Sequence, residues 1–310
     1  MHPLKRLMVG IDQSPADDIL IRFCAVLAQQ AGIDRIYVIH AAKNLELPEQ
    51  ILEKYPDLIA PVDENIRLET GHLLDKYFTP ELKSRTEILI LEGSPIQVVL
   101  KEIMVKEIDL LVVGKRSKPN STGIFARKMA LLANCSVAIL SPEADIKPGD
   151  ALFTNPLVPV DFSEHSILAL EMLKLLAGKS SQVKFNCQHV YRVPIGYHYS
   201  GKSYEEFAKI MEENAREQMD RTLKLAGLDI KKVSRIFSLD ENQNIPALIS
   251  STMEKNHFDF IIIGSKGRTA AASFLLGSNT EKLIDESKKS MIVVKDKGNN
   301  LQMIDALLKL

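Results

Sequence analysis

The sequence predicts an α/β protein of two tandem doubly wound domains, each a five-stranded parallel sheet. Three observations carry that prediction. The chain has 310 residues, and at about 150 residues per domain this suggests two domains. The second half repeats the first. Within each half, short β-branched runs alternate with helical patterns, as a parallel α/β sheet requires.

The repeat rests on three separated anchors. LMVGIDQSPADDILIRFCAVLAQQAG from Leu7 matches PLVPVDFSEHSILALEMLKLLAG from Pro156, setting Asp12 against Asp161 at an offset of 149. IYVIHAA matches FNCQHVY, setting His40 against His189 at the same offset. DLLVVGKRS matches DFIIIGSKG, setting Gly114 against Gly264 at 150. A period of one whole domain argues for tandem duplication rather than a stacked array.

In the first copy, Leu7–Ile11, Ile36–His40, Glu87–Leu91, Leu110–Val113 and Val137–Leu140 read as strands. Their near-continuous apolar runs fit strands covered on both faces. Ser14-Pro15-x-Asp17 and Ser94-Pro95-x-Gln97 predict helix starts, each with a capping hydroxyl, a proline in the first turn and an acceptor at the third position. In the second copy, Phe207, Ile210, Met211, Ala215, Met219 and Leu223 recur at helical spacing. Ser141 to Asp150 is rich in proline and charge and reads as a linker. These signals place domains over 1–142 and 151–296, with a tail over 297–310. In the tail, Leu301, Ile304, Leu307 and Leu308 suit a short amphipathic helix.

Composition bounds the function. The 39 Lys+Arg against 40 Asp+Glu leave a net charge of −1, so no bulk basic field exists to hold nucleic acid or an anionic membrane. The apolar stretches are too short to span a bilayer. The N-terminus runs directly into a strand-like segment, so no signal peptide is expected. Cys24, Cys135 and Cys187 form no CxxC pair. A disulfide framework or cysteine zinc site is not indicated, and a reducing, cytoplasmic protein is expected.

Open α/β sheets bind ligands at the carboxyl ends of their strands. Two features of the second copy fall there. Asp161 follows the strand ending Pro159-Val160, and Gly264-Ser265-Lys266-Gly267-Arg268 follows Ile261-Ile262-Ile263. The glycine segment continues to Gly277-Ser278-Asn279-Thr280-Glu281, completing the pattern G-x2-G-x9-G-S. Glycines allow close backbone approach and left-handed turns. N–H groups at a helix start attract anions. Ser278 adds a hydroxyl donor, and Asp161 supplies a carboxylate for a divalent cation or a ligand hydroxyl. Together they suggest a nucleotide phosphate cradle. The competing reading is an ordinary turn, with Ser278-x-x-Glu281 as a capping box.

This G-x2-G-x9-G-S pattern, with Val160-Asp161-Phe162-Ser163 after the first strand and His189-Val190 after the second, resembles the universal stress protein family. Phe274-Leu275-Leu276-Gly277-Ser278 and Met291-Ile292-Val293-Val294 carry the same resemblance, which covers both copies. It implies Rossmann-like, adenine nucleotide alpha hydrolase-like domains with strand order 3-2-1-4-5. It implies ATP or AMP as ligand in the second domain, with adenine near Val190 and phosphates on Gly264, Ser265, Lys266, Gly267, Gly277, Ser278 and Asn279. Pro159, Val160, Asp161, Ile263 and Thr280 complete the implied nucleotide-binding set, with Asp161 reaching any Mg²⁺ carried on the nucleotide. It further implies that Val137–Leu140 and Met291–Val294 pair within the chain as a built-in pseudo-dimer, itself a candidate for homodimer formation.

The first copy departs from this pattern. Ser117 replaces the second loop glycine, five residues precede Gly123 where the second copy has nine before Gly277, and Ile124 replaces Ser278. Asp12 survives, but this copy is expected to bind no ATP, or to bind something smaller through its basic loop; the favoured reading of Lys115, Arg116 and Lys118 is a solvated turn. His40 and His189 are expected to be hydrogen-bonded packing residues. Tyr197-His198-Tyr199 reads as surface loop, and Cys24 and Cys187 as inert core.

No P-loop, zinc motif, nucleophile elbow or dinucleotide fingerprint occurs, and nothing fixes a nucleophile or base. The leading expectation is therefore a nucleotide-binding stress-response or regulatory protein. A nucleotide-independent scaffold, or a binder of another small molecule, is the alternative. A slow ATPase or self-phosphorylating enzyme ranks below both.

Overall fold

The computed structural model describes residues 3–43, 54, 62–115, 124–144, 146–147, 151–178, 182–267 and 276–296. The chain divides into two compact units, built on Leu4–Asp150 and on Ala151–Asp296.

The first unit runs β1 (Arg6–Ile11), α1 (Ala16–Ala31), β2 (Arg35–Ala42), α2 (Val62–Tyr77), α3 (Pro80–Ser84), β3 (Thr86–Glu92), α4 (Pro95–Val105), β4 (Leu110–Gly114), α5 (Ile124–Leu132) and β5 (Ser136–Leu140). All pairings are parallel: β1 lies between β2 and β4, β3 lies beyond β2, and β5 beyond β4. The order is 3-2-1-4-5, as expected. β5 and the first four residues of β4 are buried, whereas β3 carries no fully buried residue. The expectation of two-sided cover therefore fails for β3, which ends the order and has a strand on one side only.

The second unit runs β6 (Leu157–Pro159), α6 (Glu164–Ala177), β7 (Phe185–Tyr191), α7 (Tyr204–Leu225), β8 (Val233–Leu239), α8 (Ile245–Lys255), β9 (Phe260–Gly264), α9 (Ser278–Glu286) and β10 (Ser290–Val294). It repeats the order with β6 between β7 and β9, β8 beyond β7, and β10 beyond β9.

Duplication extends to the backbone. Gln13 and Phe162 are left-handed at φ 59° and 67°, as are Glu107 and His257 at 50° and 51°. Asp109 accepts from Lys5 N and Arg6 N, and Asp259 accepts from Asn155 N and the Thr154 hydroxyl. In both units one carboxylate ties the start of the fourth strand to the approach to the first.

Two predicted helix starts need correction. α1 begins after Pro15, and Ser14 contributes its main-chain carbonyl, not its hydroxyl, to Asp17 N at 3.0 Å. The reason lies in Asp17, which is only 5% exposed and turns inward to accept from Asp12 N at 3.2 Å. Ser94 caps α4 by position, but its hydroxyl makes no capping bond. At that half-buried site water can serve the same donors. The second unit holds a complete capping box, in which Ser203 and Glu206 bond reciprocally at the start of α7. That helix buries Ala215, Met219 and Leu223 as expected, but Ile210 is 40% exposed, because the buried stripe is narrower than the apolar spacing suggests.

Cys24, Cys135 and Cys187 are buried. Burial pushes the Cys24 thiol far up and the Cys187 thiol up to about 12, so neither forms a reactive thiolate near neutrality. No helix among the described residues is long and apolar enough to cross a membrane. The predicted tail helix, Arg116 to Gly123 of the first loop, the linker residues Asp145 and Pro148 to Asp150, and Arg268 to Leu275 lie outside the described residues.

Candidate functional site

The site begins where β6 ends. Asp161 opens the turn into α6, and its Oδ1 accepts from Ser163 N (3.1 Å), the Ser163 hydroxyl (2.6 Å) and the Ser166 hydroxyl (2.6 Å). Ser166 Oγ also accepts from Asp161 N at 3.0 Å. Three donors on one oxygen fix the carboxylate and aim Oδ2 at the glycine loop. A Cβ built on Gly267 would stand 2.7 Å from that Oδ2. Residues 106 positions apart are thus in direct apposition, which the strand-end argument expects.

The loop itself is narrow. Ser265 N donates to Val294 O at 2.9 Å, and Gly277 N donates to Ser265 O at 2.8 Å, closing the two arms. A Cβ on Gly277 would meet Gly267 N and Lys266 Cα at 3.5 Å. The absent side chain is the space between the arms. Gly264 meets the neighbouring helix: its Cβ would stand 2.7 Å from His165 Cβ and from the His165 carbonyl oxygen.

Gly277 is the N-cap of α9, and Ser278 and Asn279 are its exposed first residues. The capping-box reading of Ser278 is corrected, because that residue lies inside the helix rather than at its cap. The leading N–H groups of any helix lack partners within it and favour an anion.

The remaining predicted residues play quieter parts. Ile263 and Val160 are buried, and the Val160 carbonyl is bonded to His189 Nδ1 at 2.7 Å. Thr280 is buried and donates to Gly264 O at 3.0 Å, pinning α9 to the end of β9. Pro159 closes β6.

The sequence profile of the universal stress protein family matches twice, over residues 3–141 and 153–295. The chain belongs to the universal stress protein family.

Universal stress protein MJ0577 of Methanocaldococcus jannaschii is 28% identical over 165 residues, covering 48% of this chain and 98% of that protein. A universal stress protein from Archaeoglobus fulgidus superposes with TM-score 0.62 at 17% identity, over 95% of this chain and 99% of that one. A functionally unknown protein, PA1789 from Pseudomonas aeruginosa, gives TM-score 0.63 at 12% identity, over 99% and 98%. Both structures share the fold.

In this universal stress protein a pocket of about 300 Å³ opens beside Val190, between β7, α7 and the turn after β8. Phe162 and His189 form one wall, stacked at 4.1 Å and 29°. Arg192 and Asp240 stand at the strand ends, paired at 2.5 Å, with Asp240 only 2% exposed. Asp240 Oδ1 also accepts from Asn244 N. Burial alone would raise the Asp240 pKa, but the Arg192 bond and two backbone donors hold it below the usual carboxylate range. Neither Arg192 nor Asp240 was among the expected site residues, although each lies just past the end of a strand, β7 and β8, where ligands bind.

His40 and His189 are the hydrogen-bonded residues expected, with Nδ1 against Ile11 O (3.2 Å) and Val160 O (2.7 Å). His189 also lines the pocket. Tyr197, His198 and Tyr199 form a 3-10 helix outside that lining.

In the first unit, Asp17 replaces Ser166. A hydroxyl that serves Asp161 thereby becomes a second carboxyl beside Asp12. Burial, and then the Asp12 charge, push the Asp17 pKa up to about 6. The folded state holds the proton more tightly than the unfolded chain. Stability is therefore fully present below the ordinary carboxylate range and is lost as pH rises through about 6. The full loss amounts to roughly 3 kcal/mol, of which roughly 2 falls between pH 4.5 and 7.5. Asp17→Asn keeps the acceptor for Asp12 N and removes the titration. Denaturant unfolding at pH 4.5 and 7.5 is expected to show the first unit of the wild type losing stability across that range more than the variant.

Proposed function

We propose that this chain binds an adenine nucleotide, ATP or AMP, in its second unit and acts as a stress-response or regulatory protein. The observation that carries the reading is the meeting of Asp161, Gly267 and Gly277 around one cradle, in which a Cβ on Gly267 would stand 2.7 Å from Asp161 Oδ2. Backbone N–H groups of the loop and of the first turn of α9 would hold the phosphates. The pocket beside Val190 would take the base, with the Phe162–His189 stack as its aromatic wall. The residues fit such a ligand: glycines clear the space, and exposed Ser278 and Asn279 border it.

Asp161 fits one carboxylate contact to a Mg²⁺ carried on the phosphates, the usual mode for that ion. Its Oδ1 holds Ser163 and Ser166, and its Oδ2 lies on the loop side, 2.7 Å from where a Cβ on Gly267 would stand, which is the position this role requires. Binding would act by ordering the loop and shifting how partners pack. The three buried cysteines suit the reducing cytoplasm.

Calorimetric titration of nucleotide-free protein with ATP and Mg²⁺, and separately with AMP, tests the reading. Saturable heat is expected, and silence at millimolar ligand sinks it. The divergence of the first unit favours the alternative of a nucleotide-independent scaffold, which predicts that silence.

A further inference from the structure

We infer that His165 belongs to the phosphate-binding apparatus, taking up a proton as a phosphate enters the Gly264–Gly267 loop, so that binding tightens as the solution becomes more acidic. The inference rests on the nucleotide reading above and adds its regulation by pH.

The position is specific to the second unit. His165 stands in the first turn of α6, directly against Gly264, where an added Cβ would meet it at 2.7 Å. Its ring Nδ1 lies 3.5 Å from the Ser265 hydroxyl. The aligned residue in the first unit is Ala16, which has no ionisable group.

Charged groups surround the imidazole from several elements. Lys266 faces it from the loop, Asp161 from the turn after β6, Asp296 from the segment after β10, and Glu164 from its own helix. Burial, and then Lys266, hold the ring below the usual histidine range, and the three carboxylates only partly oppose them. The nucleotide-free site therefore keeps His165 neutral at pH 7. Burial also lowers the Lys266 pKa.

A phosphate reverses that balance. It brings one or two negative charges to the loop and offsets the Lys266 charge that disfavours protonation. At such short range in a partly buried site, one added charge changes proton affinity by about tenfold or more. His165 is then neutral before binding and cationic after it. The ring acquires a second N–H donor only in the bound state.

Titration calorimetry of the intact protein with AMP, repeated in buffers of different ionisation enthalpy, counts the protons taken up. AMP contributes its own proton equilibrium equally to wild type and His165→Gln, so the difference isolates the imidazole. Wild type is expected to take up roughly half a proton more than His165→Gln near pH 6.5. Its affinity should gain about 3- to 10-fold more than the variant's between pH 7.5 and 6. Proton NMR of the wild type, with the His165 signal assigned by its loss in the variant, should show that imidazole titrating lower without AMP and higher with it. Binding with equal proton uptake and an unmoved imidazole overturns this inference alone. Absence of binding in both proteins overturns the nucleotide reading and this inference together.

Discussion

A chain carrying Gly267→Val and Gly277→Val is expected to lose nucleotide binding by at least about 100-fold, corresponding to about 2.7 kcal/mol, while retaining its folded signal. The two substitutions act differently. The new Cβ at position 267 would stand 2.7 Å from Asp161 Oδ2, so the carboxylate or the loop must move. Oδ1 holds three donors, and moving the carboxylate would break them. At position 277 the Cβ meets Gly267 N and Lys266 Cα at 3.5 Å, ordinary contact distance. The damage there is occupancy, because valine fills the cradle between the loop arms. Both glycines are half-exposed, so neither change should unfold the unit. Titration calorimetry beside far-ultraviolet circular dichroism checks the outcome. Unchanged affinity with intact structure would place the ligand elsewhere.

Gly264→Ala is expected to lower the stability of the second unit by about 1–3 kcal/mol, or a melting shift of roughly 3–10 °C for a unit of this size. The added methyl would stand 2.7 Å from His165 Cβ and carbonyl oxygen and 2.8 Å from its carbonyl carbon. Two of those atoms are backbone in the first turn of α6, which cannot turn aside as a flexible side chain would. The same unit anchors Thr280 to the Gly264 carbonyl, so a displaced strand end also strains α9. The first unit supplies a control. At Gly114 the nearest atom to an added Cβ is Leu20 Cδ1 at 3.6 Å, and Ala16 Cβ lies at 3.8 Å. Gly114→Ala should leave the melting profile nearly unchanged. Differential scanning calorimetry of the two variants decides the matter, and equal effects would refute the packing argument.

Much of the fold was legible because the signals that specify it are local. β4, β5, β9 and β10 are covered on both faces and read as unbroken apolar runs. The constant offset between matched strand segments, DLLVVG and DFIIIG among them, revealed the duplication, and the structure carries it down to paired left-handed residues such as Gln13 and Phe162. Helix starts were less legible. The Ser-Pro pattern at Ser14 names residue types suited to capping, but Asp17 turned inward to Asp12 N instead. Which of two competing acceptors wins depends on burial, and a short motif does not encode burial.

The site was legible in part. Asp161 and the loop glycines stood out because each follows a strand, and parallel strands deliver their carboxyl ends to one edge. The pocket was legible only at Phe162, His189 and Val190, since Arg192, Met211 and Asp240, which complete its lining, come from separate segments with no shared motif. His165 was missed because a histidine at the start of a helix carries no signal until the loop lies against it.

By itself, the sequence determined that one α/β unit occurs twice, that both copies keep the acidic residue (Asp12 and Asp161), and that only the second keeps the complete G-x2-G-x9-G-S pattern. Tertiary structure decided what each of those residues is for. It made Gly264 a clearance for His165, Gly267 a clearance for Asp161, and Gly277 the open space between them. Periodicity records how each element is buried along the chain. Distances of a few ångströms between residues a hundred positions apart are set only when the helices and strands pack.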